Sequence, residues 1–203
     1  MKTFAKTLFA AALTAVVFTS SAMATFAAEP VKAETKSASV LKFNRIWVSG
    51  NVKLVLTQGD KQSVNGDSDF DAAKTSVSSD GRTLFINSME NNEVTINITM
   101  PDLERIEAYG QSNVVTINNF DVKNLQLFLS QSATAKIKTT AGSLYTVVKE
   151  DAVLKLNGTA EHSMMVAENV KNVKMADFAS LKSSSFSALQ VLEANQNAMN
   201  LSK

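Results

Sequence analysis

The chain has 203 residues, with 20 basic and 19 acidic side chains, one histidine and no cysteine. So balanced a charge gives no electrostatic reason to bind nucleic acid or an anionic membrane. Without cysteine there are no disulfides, so the fold must be held by its core.

The first residues have the pattern of a secretory signal peptide. Two lysines and no acid come first, residues 8–18 form an apolar run, and small residues follow at Ala22 and Ala24. That order is typical of an export signal with an A-x-A cleavage site. The run is too short for a stable membrane anchor, and no second long apolar run follows. We predict a signal peptide over residues 1–24, with a mature chain beginning at Thr25 in the periplasm, at the cell surface or outside the cell.

A short polar stretch separates this signal from the rest of the chain. Residues 25–39 contain Pro30, charged residues and small residues, with almost nothing apolar to bury. Such a composition predicts a flexible linker. The remaining residues, 40–203, are enough for one domain of ordinary size.

Apolar and polar residues alternate through the first half of that domain. Residues 52–56, 94–100 and 125–129 show the period of two that half-buried strands require. Turn residues such as Asn65-Gly66 and Asp80-Gly81 separate the runs. The pattern predicts an all-β fold that begins with a β-sheet segment.

The second half repeats short polar segments about every 20 residues, which is a solenoid signature. Each unit would bury its apolar face against its neighbours, as in a parallel β-helix with polar corners. The alternative is a β-sandwich with evenly spaced strands. The segments begin at Gly110, Ser130, Glu150, Glu168, Ser184 and Asn195.

Three passages of this domain resemble the head GIN domain family, proposed adhesin heads of autotransporters that are common in secreted proteins of Bacteroidetes. They are residues 43–59, which begin Phe-Asn-Arg-Ile-Trp-Val-Ser-Gly-Asn, residues 77–86, and residues 96–112 with Met-Pro-Asp-Leu and Tyr-Gly-Gln-Ser. The resemblance implies a right-handed β-helix-like domain of the cell surface or envelope, and no enzymatic activity. Family members repeat a glycine at each corner, whereas here Gln131 and Asp151 replace it.

Catalytic chemistry finds little support in the sequence. His162 could form a triad with Glu161 or Asp177, but no nucleophile motif accompanies it. One histidine without cysteine cannot supply the usual zinc ligands. We predict no catalytic residue, no metal site and no cofactor.

The acidic run after residue 66 has a simpler interpretation than a calcium site. Asp67, Asp69 and Asp71 alternate like the start of a calcium loop, but the glycine and the glutamate that such a loop needs are replaced by Ala72 and Ser78. We therefore interpret them as a solvated turn.

Two carboxylate pairs have the composition of a glycosidase site. They are Glu104 with Glu107, and Glu150 with Asp151. Paired carboxylates are also common on β-helix surfaces, and we interpret both pairs as surface residues.

Aromatic residues offer one binding hypothesis. Trp47, Tyr109 and Tyr145 are the rings with polar groups, and on a solenoid face they could hold a sugar, although the apolar strand around Trp47 favours its burial. Val55 and Phe128 place apolar side chains on the outward face, which indicates either a covered face or burial of both faces.

The sequence thus predicts a non-enzymatic, adhesin-like interaction module of the envelope, whose partner is an unknown protein or glycan. A homo-oligomer is possible. Alternatives are a carbohydrate-binding or polysaccharide-associated protein and an envelope structural protein. An exposed aromatic row would favour carbohydrate, and a flat apolar patch a protein partner. The stacked-coil hypothesis expects some side chains to be buried (Leu127, Ile137, Leu154 and Leu189) and others to be exposed (Lys136, Lys155 and Lys174).

Overall fold

The structure is a computed structural model that describes most of the predicted domain. The predicted signal peptide, the linker and Leu189 lie outside the described residues, which are 42–66, 71, 73–187 and 190. Within them, no helix is long and apolar enough to cross a membrane.

Strands account for nearly all regular structure in the described residues, so the all-β prediction is confirmed. A single 3₁₀ turn, Val170–Asn172, precedes the last strand. The strands are β1 (Arg45–Gly50), β2 (Val52–Gln58), β3 (Ser63–Gly66), β4 (Thr75–Asp80), β5 (Thr83–Ser88), β6 (Val94–Met100), β7 (Arg105–Ala108), β8 (Asn113–Thr116), β9 (Phe120–Leu129), β10 (Thr134–Val148), β11 (Val153–Ala167) and β12 (Val173–Ser187).

All twelve strands belong to one sheet, which curls into a half-barrel. This differs from the two packed sheets of the β-sandwich alternative. Most neighbours run parallel; the exceptions are β3 against β6 and β4 against β5. Parallel strands need a connection that returns the chain to its starting side. Only four residues join β10 to β11 (149–152), too few for such a return, so the 15-residue strands themselves turn along their length.

The repeat of about 20 residues corresponds to the pairing of the strands. From β7 onward, each residue pairs with one 19 to 21 positions later in the chain, as Asn113 does with Thr134 and Thr134 with Val153. The same offset joins β11 to β12. The polar segments therefore lie where the chain bends between strands. Whether these turns close into a β-helix stays a prediction.

The first two strands lie in the middle of the sheet rather than in a separate N-terminal segment. β1 pairs with β5 on one side and β7 on the other, and β2 pairs with β6 and β8. The predicted N-terminal β-sheet segment thus belongs to the same sheet as the later strands. Period-2 alternation shows which residues face the core, but it does not show which strand lies alongside.

The inward positions of the strands form one apolar core. Leu127, Ile137 and Leu154 are buried, as predicted. Each such side chain contributes roughly 1.5–3 kcal/mol through its removal from water. The three lysines predicted to be exposed, Lys136, Lys155 and Lys174, are exposed.

Successive bends at one corner of the sheet place a residue in the left-handed backbone region. Gly110, Gln131 and Glu150 have φ of 69°, 61° and 56°. Gly110 N–H donates to the Gln131 side chain at 2.6 Å, and Gln131 N–H donates to the Glu150 carboxylate. The residue in the left-handed conformation is Glu150 rather than Asp151, which corrects the predicted corner by one position.

Candidate functional site

A continuous column of mostly apolar side chains crosses the outer face of the sheet. Trp47 lies in register with Phe85 on one side and Glu107 on the other, and Glu107 with Phe128. The register then continues through β10, β11 and β12. We call these seven residues the outer column: Phe85, Trp47, Glu107, Phe128, Val147, Val166 and Phe186.

In six of the seven strands, β12 excepted, the column residue faces outward because its two neighbours in the strand are buried. Ile46 and Val48, on either side of Trp47, are buried. In contrast, Trp47 itself is only partly buried, and the two end residues of the column, Phe85 and Phe186, are 38% and 41% exposed, whereas Val147 is covered by its neighbours and only 9% exposed. The burial expected of Trp47 is therefore only partial. Its strand turns Ile46 and Val48 to the core, and Trp47 lies on the outward face between Arg45 and Ser49.

The rings of the column contact one another and two tyrosines beside it. The Trp47 ring centroid lies 6.1 Å from that of Phe85 and 5.6 Å from that of Tyr109. Phe128 and Tyr145 meet edge to face with centroids 5.8 Å apart. These distances are those of favourable aromatic pairs. All three residues singled out for their polar rings thus lie along one surface.

Polar side chains at the centre of the outer column form hydrogen bonds with one another. Arg105 donates to the Gln126 amide oxygen at 2.7 Å and to Glu107 at 3.1 Å, and its guanidinium lies 5.1 Å from the Phe128 centroid. The Tyr109 hydroxyl donates to Glu107 at 3.2 Å. Burial, followed by the negative charge of Glu107, raises the pKa of Tyr109, so the phenol stays protonated.

Both carboxylates of the first candidate glycosidase pair, Glu104 and Glu107, form ion pairs with arginines. Glu104 accepts from Arg45 at 3.4 Å and Arg82 at 2.5 Å, and Glu107 accepts from Arg105. Partial burial acts to raise the pKa of Glu104, but the hydrogen bonds and charges of Arg82 and Arg45 outweigh it, and the pKa is lowered. A glycosidase acid requires a raised pKa, so this environment is the opposite of what that role needs.

The second carboxylate pair and the histidine are not brought together into a site. Glu150 caps the corner described above, and Asp151 is exposed. His162 is exposed and lies in register with Ser143 and Lys182 rather than with an acid. Asp177 instead accepts from the Asn157 amide at 3.2 Å.

The acidic run after residue 66 is described only at its end. Asp71 accepts from the backbone of Ala73 at 2.9 Å and pairs with Lys74 at 3.4 Å. The backbone hydrogen bond from Ala73 is the main cause that lowers the pKa of Asp71. This is the geometry of a capped turn. Asp67 and Asp69 lie outside the described residues, and no cluster of metal-ligating side chains occurs among the residues that are described.

Four of the seven residues of the outer column can be found in the sequence by their regular spacing. Phe128, Val147, Val166 and Phe186 follow one another at 19 or 20 residues, and each occupies the outward position of its unit. Of these four, only Phe128 was singled out from the sequence. Glu107 precedes Phe128 by 21 residues, whereas Phe85 and Trp47 could not be found by spacing, because Trp47 meets partners much farther along the chain.

Together, the fold and this surface define an all-β protein of stacked strands that presents an aromatic column to solvent. The family described as "Putative auto-transporter adhesin, head GIN domain" matches residues 42–188. The chain belongs to this family, as the resemblance of its opening strands predicted.

Solved structures of Bacteroidetes proteins share the fold. A "putative adhesin" from Bacteroides fragilis is 20% identical, with a TM-score of 0.65 over 75% of this chain and 74% of its own. A "putative lipid binding protein" from Parabacteroides distasonis is 13% identical, with a TM-score of 0.57 over 76% of this chain and 78% of its own. A comparison with curated proteins gives no match.

Proposed function

We propose that this chain is an exported, non-enzymatic interaction module of the bacterial envelope, adhesin-like, which contacts its partner through the outer column. The observation that carries the proposal is the outer column itself. Seven strands contribute to one row of side chains, and six of the seven are apolar or aromatic. Contiguous apolar rows on a protein surface mark interaction sites.

Family membership and the N-terminal pattern support the same proposal. The family is one of proposed adhesin heads, and the charged, apolar and small-residue order of residues 1–24 is that of an export signal. A right-handed β-helix-like stack would suit this role, because its rigid coils hold a long surface in fixed register. We propose that architecture for residues 105–187, where the parallel pairing offset is regular.

The binding test uses beads that carry the mature protein and envelope fragments from the native host. Wild-type beads should retain the fragments, and Trp47→Ser with Phe128→Ser should reduce retention at least tenfold. Ile117→Ser is the matched control, since Ile117 is 65% exposed but lies outside the column. Equal retention by the column variant and the wild type would contradict the proposal.

Export and the absence of activity are tested separately. N-terminal sequencing of the protein from the host should begin at Thr25, and an intact Met1 in the envelope fraction would contradict export by this signal. Broad glycosidase and esterase assays should give no turnover. Turnover abolished by His162→Ala or Asp151→Asn would show that the protein is an enzyme.

A further inference from the structure

The shape of the outer column limits the kind of partner that it can bind. Seven neighbouring strands about 4.8 Å apart give it a length of roughly 29 Å. Its width is one or two outward side chains, roughly 7–14 Å, because outward positions recur every second residue. The apolar strip therefore offers about 400 Å² at most. A stable protein interface needs about 800 Å² from each partner, so a globular protein or a second copy would be poorly held.

The charges along the column limit the partner further. Arg105 is paired with Glu107, and Arg45 is paired with Glu104. Among the described residues flanking the rings, Arg45 and Arg105 thus each have a carboxylate within 3.4 Å, and Arg45 shares Glu104 with Arg82. A sulfated or carboxylated chain would have to break these pairs to gain a counter-charge. The surface therefore suits an uncharged partner.

The composition of the column combines ring faces with hydrogen-bonding groups. Rings of Phe85 and Trp47 offer apolar surfaces with a negative face, on which the C–H faces of a sugar stack favourably, whereas Arg105 lies over one face of the Phe128 ring. In the neighbouring row of outward positions, beside Phe128, lie Gln126 and Tyr145. Within the described residues, the Gln126 amide makes a hydrogen bond through its oxygen alone, and the Tyr145 hydroxyl has no hydrogen-bond partner. Those groups can bond to sugar hydroxyls.

From this combination we infer that the outer column binds a linear, uncharged glycan chain, which lies across the strands with its sugar rings stacked on the aromatic side chains. This inference rests on the proposed function and adds the class of partner to it. An extended peptide is a weaker candidate, because the sheet face offers no free backbone groups to pair with a peptide backbone.

Tryptophan fluorescence provides a direct test, since Trp47 is the only tryptophan of the chain. The mature protein is titrated with neutral linear hexasaccharides (cello-, manno- and xylo-hexaose), with oligogalacturonate, with a proline-rich peptide and with neutral phosphatidylcholine vesicles. At least one neutral hexasaccharide should change Trp47 emission saturably, and oligogalacturonate should not. Phe128→Ala should weaken that binding at least tenfold, whereas Ile117→Ser should leave it unchanged.

Treated envelope fragments separate this inference from the proposed function. Periodate, which cleaves vicinal diols of sugars, should abolish retention on wild-type beads, and protease treatment should leave it intact. Loss of retention after protease alone, or a Trp47 response only to peptide or to vesicles, would overturn the glycan assignment while the interaction module stands. Failure of untreated fragments to bind would instead contradict the proposed function.

Discussion

At the scale of single residues, larger side chains stand where the family has corner glycines. Their hydrogen bonds offset the backbone strain that they introduce. The left-handed conformation of Gln131, with φ of 61°, costs a non-glycine residue roughly 1 kcal/mol. In return its side chain accepts from Gly110 N–H, a bond that glycine cannot make. Such a hydrogen bond stabilises by about 0.5–1.5 kcal/mol, so the two effects nearly balance.

This balance predicts an unusual order of stabilities at Gln131. Gln131→Gly should change the free energy of unfolding by less than about 0.5 kcal/mol, because strain and hydrogen bond are lost together. Gln131→Ala should cost about 1 kcal/mol, because the strain remains while the bond is lost. Chemical denaturation measures both. At exposed Lys155, within β11, the order should reverse, with alanine better than glycine. An alanine as stable as glycine at position 131 would refute this account.

At the scale of strands, alternation predicted the core side of the sheet correctly. Leu127 and Ile137 face inward and Lys136 outward, because a period of two leaves no other choice once one face is buried. Alternation did not predict the second apolar face. Val55 and Phe128 were ambiguous because apolar residues on both faces are equally consistent with burial of both.

These facings predict a large contrast between two nearby substitutions. Leu127→Ala should cost about 2–5 kcal/mol, because it removes a fully buried side chain and leaves a cavity. Lys136→Ala should cost less than about 0.5 kcal/mol, as exposed substitutions usually do. Urea unfolding of both variants gives the comparison. Similar losses of unfolding free energy for the two variants would mean that the inward and outward positions of these strands are assigned wrongly.

At the scale of the whole domain, the sequence predicted the repeat but not the order of the strands. The later strands pair about 20 residues apart, so the repeat in the sequence is the repeat in space. The first strands instead pair at a much longer range, as Arg45 does with Arg105. Nothing in the composition of β1 marks that partner, since several apolar strands would fit beside it equally well.

Glu104 connects residues that are far apart in the sequence through ion pairs. It joins Arg45 of β1 to Arg82, which precedes β5, so a single carboxylate connects neighbouring strands of the sheet. Its pKa is lowered in the folded protein, although partial burial opposes the effect of the two arginines. Folding therefore favours the ionised form, and the resulting stability is fully present only above the ordinary pKa of 4.5.

We predict that this contribution is lost as the pH falls from the ordinary pKa of Glu104 through its lowered value in the folded protein. Below that value both the folded and the unfolded chain are protonated at this position, so the difference vanishes. Urea unfolding between pH 7 and pH 3 should show a wild-type stability that falls more steeply than that of Glu104→Gln, with the two curves converging at the acid end. Glu93→Gln, at an exposed position with no ion pair among the described residues, should follow the wild type. Parallel curves for wild type and Glu104→Gln would show that the arginine pairs are too well screened by solvent to hold the first strands in place.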